Sequence, residues 1–469
     1  MSEKPIPLET SVLRTAADAV IRLYEDLDQR HVAARARYET LRERFDLPLP
    51  DTGVDATEVF RDLVRDSADG LVGSGGSRFF GWVIGGSLPS AIAADWLVSA
   101  WEQNAAIYQC SPAAAVLEEV AGTWLKDVLH LPAECSFAMV TGCQMAHFTA
   151  LAAARQRLMM DRGIDVGRHG LYGAPPIRVL SGAHRHESLI RAMRFLGMGS
   201  DALEHVDLDA DGRLDVPSLE RAMDAEPDRP TILCLMAGDL NTGAADPFEA
   251  VCALARERQA WVHVDGAFGL WMNASPTHRD ALRGVEQADS WATDGHKWLQ
   301  LPFDNGFAFV RDREAHEAAM SMTAGYLLAA DGAGRDPMSW NPEWSRRARG
   351  VVAYAALRSL GRDGIAGIVD EACRLAERLV SGLGELPGVE VLSPARMNQG
   401  LVRFLDDGGD HDARTDAVTD AIRAEGTAWF GATTWNGLRA MRISVCNFRT
   451  TDADVDRTLE AVSRVLRDA

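Results

Sequence analysis

At 469 residues, 47% apolar and 25% charged, the chain is long enough for a large α/β domain with a smaller companion, and neither a disordered nor a fibrous class fits. Lys plus Arg number 48 against 68 Asp plus Glu, a net charge of −20, which argues against nucleic acid or an anionic membrane as partner but leaves room for one buried phosphate. The seven cysteines, at 110, 135, 143, 234, 252, 373 and 446, lack CxxC spacing. They read as reduced thiols, and with no basic-then-apolar leader and no long apolar run the expectation is a soluble cytoplasmic enzyme.

In chain order, apolar residues recur at helical spacing from Leu13 through Ala17, Val20, Ile21, Tyr24 and Leu27, predicting an amphipathic helical arm over 1–75. The stretch 70–86, rich in Gly and Ser, departs from GxGxxG and follows no strand, so it reads as a loop lining a cleft. The same departure argues against a nicotinamide-dependent dehydrogenase. Over 76–344, helical runs alternate with β-rich segments at 177–180, 231–236, 261–264 and 306–310, which predicts a large α/β domain with a mostly parallel sheet. Over 345–469 the strands, at 389–392, 401–404 and 442–445, become fewer and more alternating. They predict a small α+β domain closed by a C-terminal helix capped near Thr451 or Asp452.

The strongest chemical signal is Trp261-Val-His-Val-Asp265-Gly-Ala-Phe268, followed by Asp294-Gly-His296-Lys297-Trp298. Ligands of open α/β sheets sit at the carboxyl ends of strands, so Asp265 is aimed at a cleft. A carboxylate there can hold a pyridinium nitrogen protonated, and a cleft lysine can form an imine with an aldehyde cofactor. Gly142-Cys143-Gln144 open an Ala/Leu-rich helix whose free N–H groups offer a phosphate site. Ser181-Gly-Ala-His184-Arg-His186-Glu-Ser188 follows a predicted strand and carries an imidazole suited to stacking and proton transfer. No metal is expected.

On these segments the chain resembles the fold-type I, group II decarboxylases that use pyridoxal 5′-phosphate (PLP), the aromatic amino acid and glutamate decarboxylase family. HVDGAFG is similar to their HVDAA, DGHKW to their HKW, and the 140–155 segment to their TSGGTEAN, with Gln144 in place of the usual hydroxyl. The resemblance implies an aspartate aminotransferase-like fold and a homodimer with shared active sites. It implies Lys297 as the Schiff-base lysine, Asp265 at the pyridine nitrogen, Ala267 against the ring, and Gly142, Cys143, Gln144 and His296 at the phosphate. Alignment on Ser188, Arg191 and Ala192 selects His186 as the stacking imidazole, whereas alignment on Ala183 selects His184; His186 is preferred. The Ser111–Glu118 stretch, Phe79, Phe80, Trp82, Tyr108 and Trp340 are expected near the substrate, and Arg442 is a candidate partner for its carboxylate.

The family's catalytic loop Tyr has no counterpart between 327 and 345, where Ser339 and Trp340 stand instead, leaving Tyr326 or a partner-subunit residue as candidate acids. The expected reaction is decarboxylation of an amino acid to an amine, or to an aldehyde through oxygen. The alternative is β-elimination or transamination with the carboxylate retained.

Overall fold

The computed structural model describes residues 10–322 and 334–468. Among these, β1 (Ser136–Val140), β2 (Arg178–Gly182), β3 (Leu203–Val206), β4 (Thr231–Met236), β5 (Trp261–Asp265), β6 (Ser290–Asp294) and β7 (Gly306–Val310) form one sheet in the order β1-β7-β6-β5-β4-β2-β3. Neighbours from β3 to β6 are parallel, and β7 alone runs antiparallel to β6 and β1. The mostly parallel sheet expected from the alternation is present. β1, β3 and β6 were not among the expected strands; every residue of β1 and β6 is buried, so neither shows the inward–outward alternation of a half-exposed strand.

The first helices are α1 (Ser11–Asp26), α2 (Tyr38–Phe45) and α3 (Ala56–Ser67), none with a buried residue, then α4 (Pro89–Trp101), α5 (Pro112–Val128) and α6 (Cys143–Met160). Proline stands in the first turn of α4 and α5, where its missing N–H costs nothing. α6 follows β1 and is apolar on most of its surface, as a helix sandwiched between layers must be. It lies on a row of small residues, because Ala138, Ala308, Ala292 and Asp265 are register partners across β1, β7, β6 and β5. Alanine in three of these four places lets the helix approach closely. At its start a Cβ on Gly306 would lie 2.5 Å from the Gly142 backbone, so that contact requires glycine.

A second, antiparallel sheet is built from β8 (Val389–Arg396), β9 (Gln399–Phe404), β10 (Gly431–Trp435) and β11 (Leu438–Ser444), in the order β10-β11-β9-β8. Phe80, Phe404, Phe430, Val418, Ile443 and Val455 are among its core. The helix Arg349–Gly384 leads into this sheet and bends at Gly361, whose φ of 63° is left-handed. The C-terminal helix Asp452–Asp468 starts as a capping box: Thr451 Oγ1 accepts the Asp454 N–H (3.3 Å) and the Asp454 carboxylate accepts the Thr451 N–H (3.1 Å).

Candidate active site

Strand geometry puts alternate residues on one face, so Trp261, His263 and Asp265 of β5 share a side. Asp265 ends the strand and is 4% exposed. Its Oδ1 accepts the Ala267 N–H at 3.1 Å, and its Oδ2 lies 3.4 Å from His147 Nε2, which α6 brings over the sheet. Burial alone would push this carboxyl up. His147, the Ala267 N–H and Lys297 more than offset it and hold Asp265 well below the usual carboxylate range.

One strand over, Asp294 ends β6 and gathers the next cluster. Its Oδ2 lies 3.3 Å from Lys297 Nζ, and its Oδ1 accepts the Cys143 N–H at 2.6 Å and lies 3.6 Å from His296 Nδ1. Burial lowers the Lys297 aminium, but the Asp294 and Asp265 carboxylates outweigh it and the net shift is upward. Lys297 Nζ is 5.9 Å from the centre of the Phe268 ring. A Cβ on Gly85 would fall 2.3 Å from Lys297 O, and Gln300 Oε1 accepts the Gly86 N–H at 2.7 Å. The glycine-rich loop of 70–86 therefore clasps the lysine turn, consistent with its reading as a cleft loop.

His186 caps the helix Glu187–Phe195: its Nδ1 accepts the Ser188 N–H at 3.2 Å and lies 2.8 Å from Ser188 Oγ, which leaves the proton on Nε2. Burial lowers its pKa, and it lies within electrostatic reach of Asp265, Lys297, His147 and Asp294. Among the described residues the His184 side chain makes no hydrogen bond. His296 is also lowered by burial and sits 4.7 Å from the Phe303 ring. At the start of α6 the Met145 and Ala146 N–H groups return to Gly142 O, so a phosphate there would meet Gly142, Cys143 and Gln144 beside the Asp294 carboxylate.

The residues expected near substrate make the following contacts within the chain. Phe79 stacks on Trp429 at 4.8 Å and Phe80 on Phe430 at 5.3 Å, both buried against the small sheet. Trp82 is 54% exposed and packs on Trp429 at 4.4 Å. Trp340 is buried between His316, Arg313 and Arg335. Tyr108 is half-buried, its N–H bound to Asp336. Aromatic residues in loops satisfied packing here, a demand that composition does not separate from ligand binding. Glu118 is fully buried, 2.7 Å from Arg346 and 3.5 Å from Arg335, so the stretch it ends is an ion-paired wall. Arg442 is 7% exposed with Nε lacking a hydrogen-bond partner among the described residues, and its acidic neighbour is Asp239 in the loop after β4. Tyr326 lies outside the described residues.

Asp294, His147, His263 and Ser290 had no role assigned from sequence. His147 was detectable as a histidine four residues after Cys143 on a helix, and His263 by its period-two spacing from Asp265. Cys143 Sγ, His147 Nε2 and an Asp265 oxygen lie within 4.8 Å of one another, a donor set that spacing along the chain does not display.

A buried amine beside one carboxylate, with an ionised carboxylate behind it, fits an aldehyde cofactor with a pyridine ring. The chain is 28% identical over 431 residues to an L-2,4-diaminobutyrate decarboxylase of Rhizobium meliloti, covering 90% of this chain and 84% of that protein. It is 25% identical to an aromatic-L-amino-acid decarboxylase of Bacillus atrophaeus, covering 83% and 80%. In fold it matches Oryza sativa TDC crystallised with PLP and tryptamine (TM-score 0.92, 22% identity, 100% and 99% covered) and Rhodiola rosea 4-hydroxyphenylacetaldehyde synthase (TM-score 0.88, 20%, 99% and 99%). With the pyridoxal-dependent decarboxylase conserved domain matching residues 39–405, the chain belongs to the PLP-dependent amino acid decarboxylase family.

Proposed function

We propose that the chain removes the α-carboxylate of an amino acid using PLP held on Lys297, with Asp265 facing the pyridine nitrogen, His186 against the ring and Ala267 on the opposite side. The observation that carries this reading is the Lys297–Asp294 pair at 3.3 Å with the ionised Asp265 behind it. When bound, PLP supplies an electron sink for the pair left at Cα as CO₂ departs. Asp294 Oδ2, 3.3 Å from Lys297 Nζ, is placed to orient the amine toward the cofactor aldehyde. Gly142, Cys143, Gln144 and His296 are assigned to the phosphate.

The product is the second question. In the described part of the 327–345 stretch Trp340 packs against Arg335, and no Tyr stands in the stretch. A slowly protonated Cα carbanion is open to oxygen, so an aldehyde stands beside the amine as product. Arg442 Nε lacks a partner among the described residues; a clamp by Arg442 on the substrate carboxylate would favour the alternative that retains it, β-elimination or transamination.

The arm 1–75, large domain 76–344 and small domain 345–469 are our division of the chain. We assign a homodimer, supported by the exposed Ile21, Phe60, Leu63, Trp96 and Trp101 on α1, α3 and α4. No helix among the described residues is long and apolar enough to cross a membrane, and the seven cysteines are free; we assign the cytoplasm.

The test is to incubate PLP-loaded protein with pooled amino acids, with and without oxygen, following CO₂, H₂O₂, pyruvate, amine and aldehyde. CO₂ release supports decarboxylation, with H₂O₂ marking the aldehyde route. Pyruvate without CO₂ would overturn it. Borohydride reduction followed by peptide mapping should place the cofactor on Lys297, and a label on any other lysine would refute that assignment.

A further inference from the structure

Asp265 is held from behind by a chain of side chains that touches no part of the open cleft. His147 is fully buried near the start of α6, its Nδ1 2.8 Å from His263 Nε2. His263 is fully buried too, its Nδ1 2.9 Å from the hydroxyl of Ser290, its register partner on β6. Ser290 Oγ in turn accepts the Trp261 indole N–H at 2.9 Å. The Asp265 carboxylate can only accept, so His147 presents a proton on Nε2 to it, its Nδ1 accepts from His263 Nε2, and His263 Nδ1 accepts the Ser290 hydroxyl proton. Burial pushes His263 down to about 3, so it stays neutral and carries a single ring proton.

We propose that His147 is a positioning residue for the decarboxylation: its Nε2–H, backed by His263 and Ser290, keeps Asp265 ionised and oriented so that the carboxylate can hold a proton on the ring nitrogen. This rests on Asp265 facing that nitrogen. A buried carboxylate without such a donor behaves differently: Asp246, which accepts two backbone N–H groups, is pushed up to about 6 by burial and by the Asp239 and Asp209 carboxylates. The same thiol, imidazole and carboxylate atoms also make a cation donor set, which is the competing use of His147.

The test uses PLP-loaded enzyme and the variants His147→Asn and His147→Gln. An asparagine amide overlays Nδ1 and can meet His263 but not Asp265, whereas a glutamine amide reaches the Nε2 position. His147→Asn is expected to lower kcat on the order of 10-fold with little change in KM, and to shift the pH dependence of the bound cofactor's visible absorbance. His147→Gln should stay near the parent in both. Equal behaviour of the two variants, the reverse order, or one equivalent of zinc recovered with the active enzyme would overturn the proposal. Asp265→Asn separates this from the underlying reading. If it leaves spectrum and turnover unchanged, the placement of Asp265 is wrong; if it abolishes both while His147→Asn is silent, only the role of His147 falls.

Discussion

The two ends of the large sheet treat a buried carboxylate in opposite ways. At the carboxyl end of β5, Asp265 meets an imidazole and a backbone N–H and is held low. At the other end, Asp289, just before β6, accepts the Val262 N–H at 2.8 Å and is pushed up to about 6 by burial, which Arg311 only partly offsets. Burial disfavours charge at both places. What differs is the donor that the fold supplies: an imidazole and a backbone N–H at Asp265, a backbone N–H at Asp289.

Lys297→Ala gives the sharpest test of that contrast. It should lower turnover by about 10³-fold or more and remove the borohydride-sensitive absorbance, measured by steady-state assay and spectrum; retained absorbance would place the cofactor elsewhere. Asp294→Asn strips the nearest carboxylate from Lys297. Turnover should fall about 10-fold, and the pH at which Lys297 of the apoenzyme reacts with an acylating reagent should move down, read by peptide mass spectrometry. An unmoved profile would mean that Asp294 does not set the amine. Gly85→Ala puts a methyl group into the Lys297 carbonyl, at a cost of about 1–3 kcal/mol from overpacking, visible in chemical denaturation together with weaker PLP binding.

The smallest effect tests the far end. Asp289 keeps its proton up to about pH 6 in the folded chain but only to about pH 4 when unfolded. The native state therefore binds the extra proton between these values. Its contribution to stability is full below about pH 4 and is lost as pH rises through 6. Asp289→Asn should raise stability by about 1 kcal/mol at pH 8, less than the full shift because the side chain is partly open to water, and should do nothing near pH 4. A stability gain that is the same at both pH values would show that charge is not the cause.

Much of the site was legible because its residues sit in runs with a local reason. Asp265 follows a β-rich segment and ends a strand, Lys297 follows in a short turn after the next strand, and Gly142 opens an alanine-rich helix. The aromatic residues were not legible. Phe79, Phe80 and Trp340 satisfy packing demands from elements distant in sequence, and an aromatic ring in a loop looks the same whether it waits for a ligand or fills a core. Glu118 shows the same limit for charge, since its partners Arg335 and Arg346 lie 217 and 228 positions further along the chain.

The sequence by itself determined the alternation of strands and helices, the order of the Asp265 and Lys297 segments and the capping of the final helix, because each depends on neighbours within a few residues. Only the tertiary structure decided what faces Asp265. His147 and His263 are 116 positions apart, and they meet because a row of alanines lets α6 sit low on the sheet where β5 lies beside β6. That closeness is a property of strand order and side-chain volume across four strands, which no local pattern encodes.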